Sequence, residues 1–327
     1  MVASRTRPKC LLTITVVILT FNEGRHIKRA LRSVAPFADR CVVVDSGSTD
    51  ETAALARALG ADVLTHPFVN QAQQFNWALD QLPADTGWVF RLDADEVVSD
   101  TLAAEIAVRL PDLPEDVAGL TVPRRIAFLR RPIRYGGLFP VHILRIFRHG
   151  RGRSEDRWMD EHIAVEGRVA ALSGELLDDN LYPLSWWIAK HNAYSSREVV
   201  EILNQEHVFL KREVVSLQSS GKQAELKRWL KTHIYANLPG GLRAFAYFVY
   251  RYLGRLGFLD GKEGTIFHIL QGFWYRYLVD AKLHEVQLYM QHNNVDAVVA
   301  IRDVLGLDVA VSTDNDAVVD PVNRNLS

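Results

Sequence analysis

The run Val89-Phe90-Arg91-Leu92-Asp93-Ala94-Asp95-Glu96 leaves an apolar strand and ends in carboxylates spaced i, i+2. On a strand that spacing puts both on one face, and at a chain end both can aim at one cation or ligand. Enclosed negative charge without a partner is costly, so an enclosed pair implies a cation or a hydrogen-bonding ligand. A structural reading competes with this one: Asp95 or Ser99 could simply cap a helix that opens near Thr101. A second acidic strand end favours the ligand site. Arg40-Cys41-Val42-Val43-Val44-Asp45 is a β-branched run whose Asp45 precedes a turn, at the position where open α/β sheets bind ligands. The polar cluster behind it needs no ligand, because Ser48 and Glu51 have capping-box spacing. A third strand, Ile14 to Leu19, runs into Thr20-Phe21-Asn22-Glu23-Gly24.

The elements that must position these groups alternate through the first half of the chain. Strands near 13–19, 41–45, 61–64 and 87–93 are separated by helical patterns near 24–34, 50–59 and 70–80, which predicts a mostly parallel α/β sheet. Pro111 to Glu115 reads as a loop, followed by shorter strand-like pieces near 118–122 and 142–148. From Leu184 the pattern is helical, over roughly 184–217, 222–235, 239–256 and 262–290. The expected division is an α/β domain over 1–180, a helical extension over 181–302, and a loosely ordered tail over 303–327.

Four segments occur in a recognisable order: 16–23 (Val-Val-Ile-Leu-Thr-Phe-Asn-Glu), 42–50 (Val-Val-Val-Asp-Ser-Gly-Ser-Thr-Asp), Asn76-Trp77-Ala78-Leu79, and 92–96 (Leu-Asp-Ala-Asp-Glu). Together they resemble the inverting glycosyltransferase family 2, of GT-A fold, and most closely its bacterial branch that builds lipopolysaccharide core or exopolysaccharide. The resemblance implies a Rossmann-like, mostly parallel sheet with a C-terminal helical extension, acting on a nucleotide-diphosphate sugar with Mg²⁺ or Mn²⁺. It assigns Asp95, with Asp93, to the metal, and Thr20, Asn22, Glu23, Asp45, Asn76 and Asp93 to the nucleotide sugar. Within Trp158-Met159-Asp160-Glu161-His162 it gives the general base to Glu161, with the adjacent Asp160 as the alternative. Phe75 departs from the family pattern where a basic residue commonly precedes the Asn, which would leave a phosphate or base contact to Gln73 or Gln74.

Between Arg124 and Arg153 stand nine arginines and no acidic residue, interleaved with Phe128, Tyr135, Phe139 and Phe147. That mixture points to an anionic partner, so Arg124, Arg125, Arg131, Arg134 and Arg145 are candidate acceptor-binding residues. The net charge of −1 and the absence of an RNA-binding motif argue against nucleic acid. Aromatics mixed with Arg243, Arg251 and Arg255 in the segment 242–279 read either as helix core or as an interfacial membrane surface. The family resemblance favours the second, with a lipid-linked saccharide acceptor and a peripheral position on the inner face of the cytoplasmic membrane.

The 327 residues can hold a GT-A domain of ~200 residues and more. Two cysteines, Cys10 and Cys41, fit a reduced compartment. Leu11 to Leu19 reads as a buried strand rather than a signal peptide, and no segment reaches the ~20 apolar residues of a membrane span. Two other classes fit parts of the chain. A haloacid-dehalogenase-like phosphatase would use Asp93 as nucleophile and Asp178-Asp179 as a distal acidic pair. A non-catalytic membrane-associated binding protein would need no convergence of the acidic strand ends.

Overall fold

The computed structural model describes residues 13–155, 162–209 and 241–309. Its first strands are β1 (Ile14–Thr20), β2 (Arg40–Asp45), β3 (Asp62–Thr65) and β4 (Trp88–Asp93), joined by helices α1 (Ile27–Val34), α2 (Thr52–Ala58) and α3 (Gln71–Asp80). These four strands are parallel in the order β3-β2-β1-β4, as right-handed strand-helix-strand connections produce. Nearly every residue of β1 is buried, because helices cover both faces. Val16 and Ile18 pack on one side with Ile27, Ala30, Leu31 and Val34 of α1, while Val17 packs on the other with Phe75, Ala78 and Leu79 of α3. Spacing of i, i+3, i+4, i+7 on α1 is what lets one face supply that layer.

Beyond β4 the sheet changes direction. It continues through β5 (Glu96–Val98), α4 (Asp100–Arg109), β6 (Val117–Phe128), β7 (Arg131–Pro132), β8 (Val141–Arg148) and β12 (Leu176–Asp179), in the order β4-β8-β6-β12-β5. Strand β8 is antiparallel to both β4 and β6, and β11 (Arg168–Ala171) pairs parallel to β6. A separate two-stranded ladder joins β9 (Gly152–Ser154) to β10 (Ile163–Val165). Most of these short strands went unpredicted, since two to four residues show no period. The expected loop at 111–115 opens instead on a 3₁₀ turn, Leu110–Asp112.

The helical part starts directly after β12 with α5 (Leu184–His207). It resumes with α6 (Leu242–Val249), α7 (Gly261–Phe267), α8 (Tyr275–Asn293) and α9 (Ala297–Ala300), linked by π-helical and 3₁₀ turns. The predicted helix over 222–235, the end of the one over 184–217 and most of the expected tail over 303–327 lie outside the described residues. Val199, Val200 and Leu203 of α5 form a second core with Tyr275, Val279 and Val286 of α8. A third cluster ties this part to the sheet, with Phe128 and Ile133 against Phe267, Leu184 and Trp187.

One buried polar knot fixes the arginine-rich loop to the helices. Asp260 accepts from the backbone N–H of Arg134 (2.9 Å) and of Tyr135 (3.0 Å), and lies 3.6 Å from the ring of His268. Gly136 sits there at φ +74°, where a Cβ would collide with the His268 ring. Gly136→Ala is therefore expected to cost about 1–3 kcal/mol through overpacking and backbone strain. An unchanged midpoint in a urea unfolding series would contradict that.

Candidate active site

Register brings the three polar strand ends together. Leu19 pairs with Asp93 and Thr20 with Asp45, so Thr20, Asp45 and Asp93 end within one residue of each other at the carboxyl edge. Strand β12 adds Asp178, opposite Glu96 of β5.

Arg145 organises the acidic end of β4. Antiparallel pairing of β8 with β4 delivers it there, and its guanidinium donates to Asp93 (2.7 Å) and to buried Glu96 (2.6 Å). Glu96 also accepts the Asp93 backbone N–H at 3.0 Å. Burial pushes the Asp93 carboxyl up, but the charges of Arg145 and then Arg91 outweigh it and hold the group well below the usual carboxylate range. For Glu96 burial wins over the Arg145 charge, and Asp93 adds repulsion, so its carboxyl stands above its ordinary value.

Asp95 projects beyond this clamp. One of its oxygens accepts from Asn180 (3.0 Å), and its carbonyl from the Asp179 N–H (3.1 Å). It does not cap α4; Ser99 does, accepting from the Leu102 N–H. Asp178 is raised to about 7, by burial first and then by the charge of Asp95. Carboxylates that repel one another at a crevice edge are a donor set suited to a divalent cation. Among the described residues no group of three or more His, Cys, Asp or Glu side chains could hold a metal ion. Asp95, with Asp93 or Asp178, would thus share a cation with oxygens that a ligand brings.

Asp45 is occupied by its own loop. Its carboxylate accepts from Thr20 Oγ1 (3.1 Å), Ser48 Oγ (2.5 Å) and the backbone N–H groups of Gly47 and Ser48. Ser48 in turn accepts from the Asn22 N–H, and the Asn22 side chain accepts from the Thr49 N–H. The expected capping box is therefore not formed: Ser48 is committed to Asp45, and Asp50 bonds the N–H of Thr52 at the start of α2. Asn76, expected at the nucleotide, instead has both ends of its amide on the backbone of Ser154 (2.9 Å each). Gln74 is buried and donates to Ser46.

The arginines do not form one surface. Arg145 is buried in the clamp, Arg124 lies 3.8 Å from Asp178, Arg125 pairs with Glu175, and Arg131 pairs with Glu263 at 3.4 Å. Arg134 is exposed. Of Arg243, Arg251 and Arg255, the first pairs with Asp280 and the second is buried against Gln271 and His268, which leaves Arg255 exposed. Asp160 and Glu161 lie outside the described residues.

Several residues at the crevice escaped the sequence reading. His26 accepts the Leu181 N–H on Nε2 (2.8 Å), which leaves its ring proton on Nδ1, facing Glu23 at 2.5 Å. Tyr182 donates its hydroxyl to the Asn22 carbonyl and stacks on Trp186. Lys190 follows one turn later on α5, with its ammonium 4.7 Å from the Trp186 ring centroid. Only the fold joins this helix to the strand ends; no spacing in the sequence does.

Residues 15–172 match the family model described as glycosyl transferase family 2. A lipopolysaccharide core biosynthesis glycosyltransferase of Rhizobium meliloti is 31% identical over 198 residues, which cover 57% of this chain and 70% of that protein. The chain belongs to glycosyl transferase family 2. An uncharacterized glycosyltransferase of Rickettsia prowazekii is 27% identical over 85% of this chain and 89% of its own length. A solved glucosyl-3-phosphoglycerate synthase from Mycobacterium tuberculosis is 24% identical, with a TM-score of 0.29 over 36% of this chain and 46% of that one, so the match spans just under half of that enzyme. The protein is thus a transferase, and its fold is the expected helix-flanked, mostly parallel sheet with a helical C-terminal part. Family membership removes the phosphatase and non-catalytic readings.

The Arg145 clamp makes a direct prediction. Arg145→Met removes the donor shared by Asp93 and buried Glu96, and should cost about 1–3 kcal/mol. Arg145→Met combined with Glu96→Gln should recover part of that loss in urea unfolding. A single variant as stable as the wild type would show that the clamp is dispensable.

Proposed function

We propose that this transferase moves a sugar, with inversion, from a nucleotide-diphosphate donor to a saccharide acceptor, assisted by Mg²⁺ or Mn²⁺. Convergence of Thr20, Asp45 and Asp93 at the ends of the adjacent strands β1, β2 and β4, with Asp95 and Asp178 close enough beside them to repel one another, carries this reading. The loop that Asp45 orders, with Asn22 and Glu23, lines the nucleotide pocket, and Asp93, fixed by Arg145, faces the ribose or the cation. Asp95 is the principal cation ligand. A bound divalent cation would neutralise charge that develops on the departing diphosphate. On the acceptor side, Glu161 or its neighbour Asp160 takes the proton of the attacking hydroxyl. Asn76 contributes by pinning β9, the strand that leads toward that segment.

The acceptor is read as a lipid-linked saccharide of a bacterial surface polysaccharide, in keeping with what the Rhizobium relative's name says of that protein. Support comes from the surface. Leu242, Phe245, Tyr250 and Leu253 are each more than half exposed, and Leu256, Phe258 and Leu259 are exposed beside them. No helix among the described residues is long and apolar enough to cross a membrane, so attachment would be peripheral. Exposed Arg255 lies against Gly137, which puts exposed Arg130, Arg131 and Arg134 on the loop next to this patch. Phosphate groups at headgroup level suit such guanidinium groups.

Two tests follow. Asp95→Ala should abolish Mn²⁺-dependent donor turnover while the unfolding midpoint stays near wild type, and Glu161→Gln should lower turnover by ~10²-fold or more with donor affinity kept. Wild-type rates in Asp95→Ala would overturn the cation site, and a crippled Asp160→Asn beside an active Glu161→Gln would move the base by one residue. Flotation with liposomes should be lost in Phe245→Asp combined with Leu253→Asp. Unchanged flotation of that variant would dissociate the patch from the membrane.

A further inference from the structure

We propose that Lys190 is a phosphate-binding cation of the donor site, placed on α5 to receive the diphosphate that leaves with the nucleotide. The inference rests on the donor-site reading above and adds to it a residue from the helical part of the chain.

Four observations carry it. The segment that leads into α5 is fastened at three points to the loops that follow β1 and β4: Asn180 on Asp95, the Leu181 N–H on His26, and the Tyr182 hydroxyl on the Asn22 carbonyl. Lys190 lies two turns further along the helix, and residues four apart share a helix face. Its ammonium sits 4.7 Å from the ring centroid of Trp186 and 5.7 Å from that of Tyr194, so the residues one turn before and one turn after bracket it.

The ammonium is also unspent. Arg145 is committed to Asp93 and Glu96, Arg124 lies beside Asp178, and Arg29 is bound to Asp179. Among the described residues, Lys190 has no carboxylate within ion-pair range and no hydrogen-bond acceptor. Elsewhere on the same helix pair, Lys282 donates to Asn192 and Ser196. Finally, Lys190 faces the site: burial works against its charge, but Tyr194 and then Asp95, Glu23 and Asp178 outweigh it and hold the ammonium protonated. A cation over two aromatic faces, directed at carboxylates it does not touch, leaves its three N–H donors for an anion between them.

The chemistry of transfer supplies that anion. The acceptor oxygen bonds to the anomeric carbon as the bond from that carbon to the β-phosphate oxygen breaks. The acceptor proton passes to the base, and the leaving oxygen keeps the electron pair. Negative charge therefore grows on the terminal phosphate, and Lys190 can donate to it while remaining an ammonium throughout.

Calorimetry with saturating Mn²⁺ tests this, using whichever of UDP, GDP, ADP and CDP the wild type binds best, together with the matching monophosphate. Lys190→Met should weaken diphosphate binding about tenfold or more, the scale of one charge-assisted hydrogen bond, and shift monophosphate binding less than about twofold. Lys190→Arg should retain most of the affinity. Arg25→Met, which removes an exposed cation over the Tyr182 ring, should change neither ligand much. Equal loss for both ligands, no loss in Lys190→Met, or an equal loss in Arg25→Met would overturn the assignment. If the wild type bound none of the diphosphates, the donor-site reading itself would fall and the role of Lys190 with it.

Discussion

The contact between Arg145 and the carboxylates of Asp93 and Glu96 is the constraint around which the catalytic half is arranged. Glu96 and the Arg145 guanidinium are both buried, and desolvation makes that position costly for each unless the other partners it, whereas Asp93 stands at the rim of the same contact. A strand running antiparallel beside β4 brings Arg145 back to that end, which is the work of β8 inside an otherwise mostly parallel sheet. Once Asp93 is held by the guanidinium, Asp95 two residues later is free to face Asp178 and Asn180 across the crevice. One carboxylate is anchored and the next is presented. That division of labour gives meaning to the i, i+2 spacing.

The helical part completes the same crevice and does not merely follow it. Strand β12 places Asp178 against Glu96, and the chain then runs through Asn180, Leu181 and Tyr182, bonded in turn to Asp95, His26 and Asn22, before α5 begins. Packing of α5 on α8, through Val199, Val200 and Leu203, holds the helix that carries Lys190. The Asp260 knot performs a similar service on the other flank, holding the loop of Arg131 and Arg134 against α7 and its neighbours. Displacing the helices would therefore disturb both the nucleotide crevice and the arginine loop.

Strands β1 to β4 and helices α1 to α3 were legible because continuous β-branched runs and a 3.6-residue apolar period survive in the sequence over enough residues to be counted. Asp45, Asp93 and Asp95 were legible as strand ends. What they touch was not. Ser48 and Glu51 had the spacing of a cap, but a buried carboxylate at Asp45 competes better for the Ser48 hydroxyl than an exposed helix end does. Arg145 looked like one of nine similar arginines, since antiparallel pairing of β8 is invisible in a composition count. Aromatic content in 242–279 mixed two populations: Phe267 and Tyr275 are core, whereas Phe245 and Tyr250 face outward. His26 and Lys190 gave no signal, because only the fold brings Leu181 onto His26 and turns Lys190 toward Glu23 and Asp95.

With no group of three metal-ligating side chains among the described residues, the cation and the nucleotide should complete each other's coordination. Titration of Mn²⁺ by the electron paramagnetic resonance signal of the free ion, with and without a nucleoside diphosphate, measures that coupling directly. Weak binding of Mn²⁺ alone, strengthened by at least about tenfold when UDP, GDP, ADP or CDP is present and lost in Asp95→Ala, is the predicted result. Tight Mn²⁺ binding with no nucleotide, or binding that none of the four diphosphates alters, would contradict it.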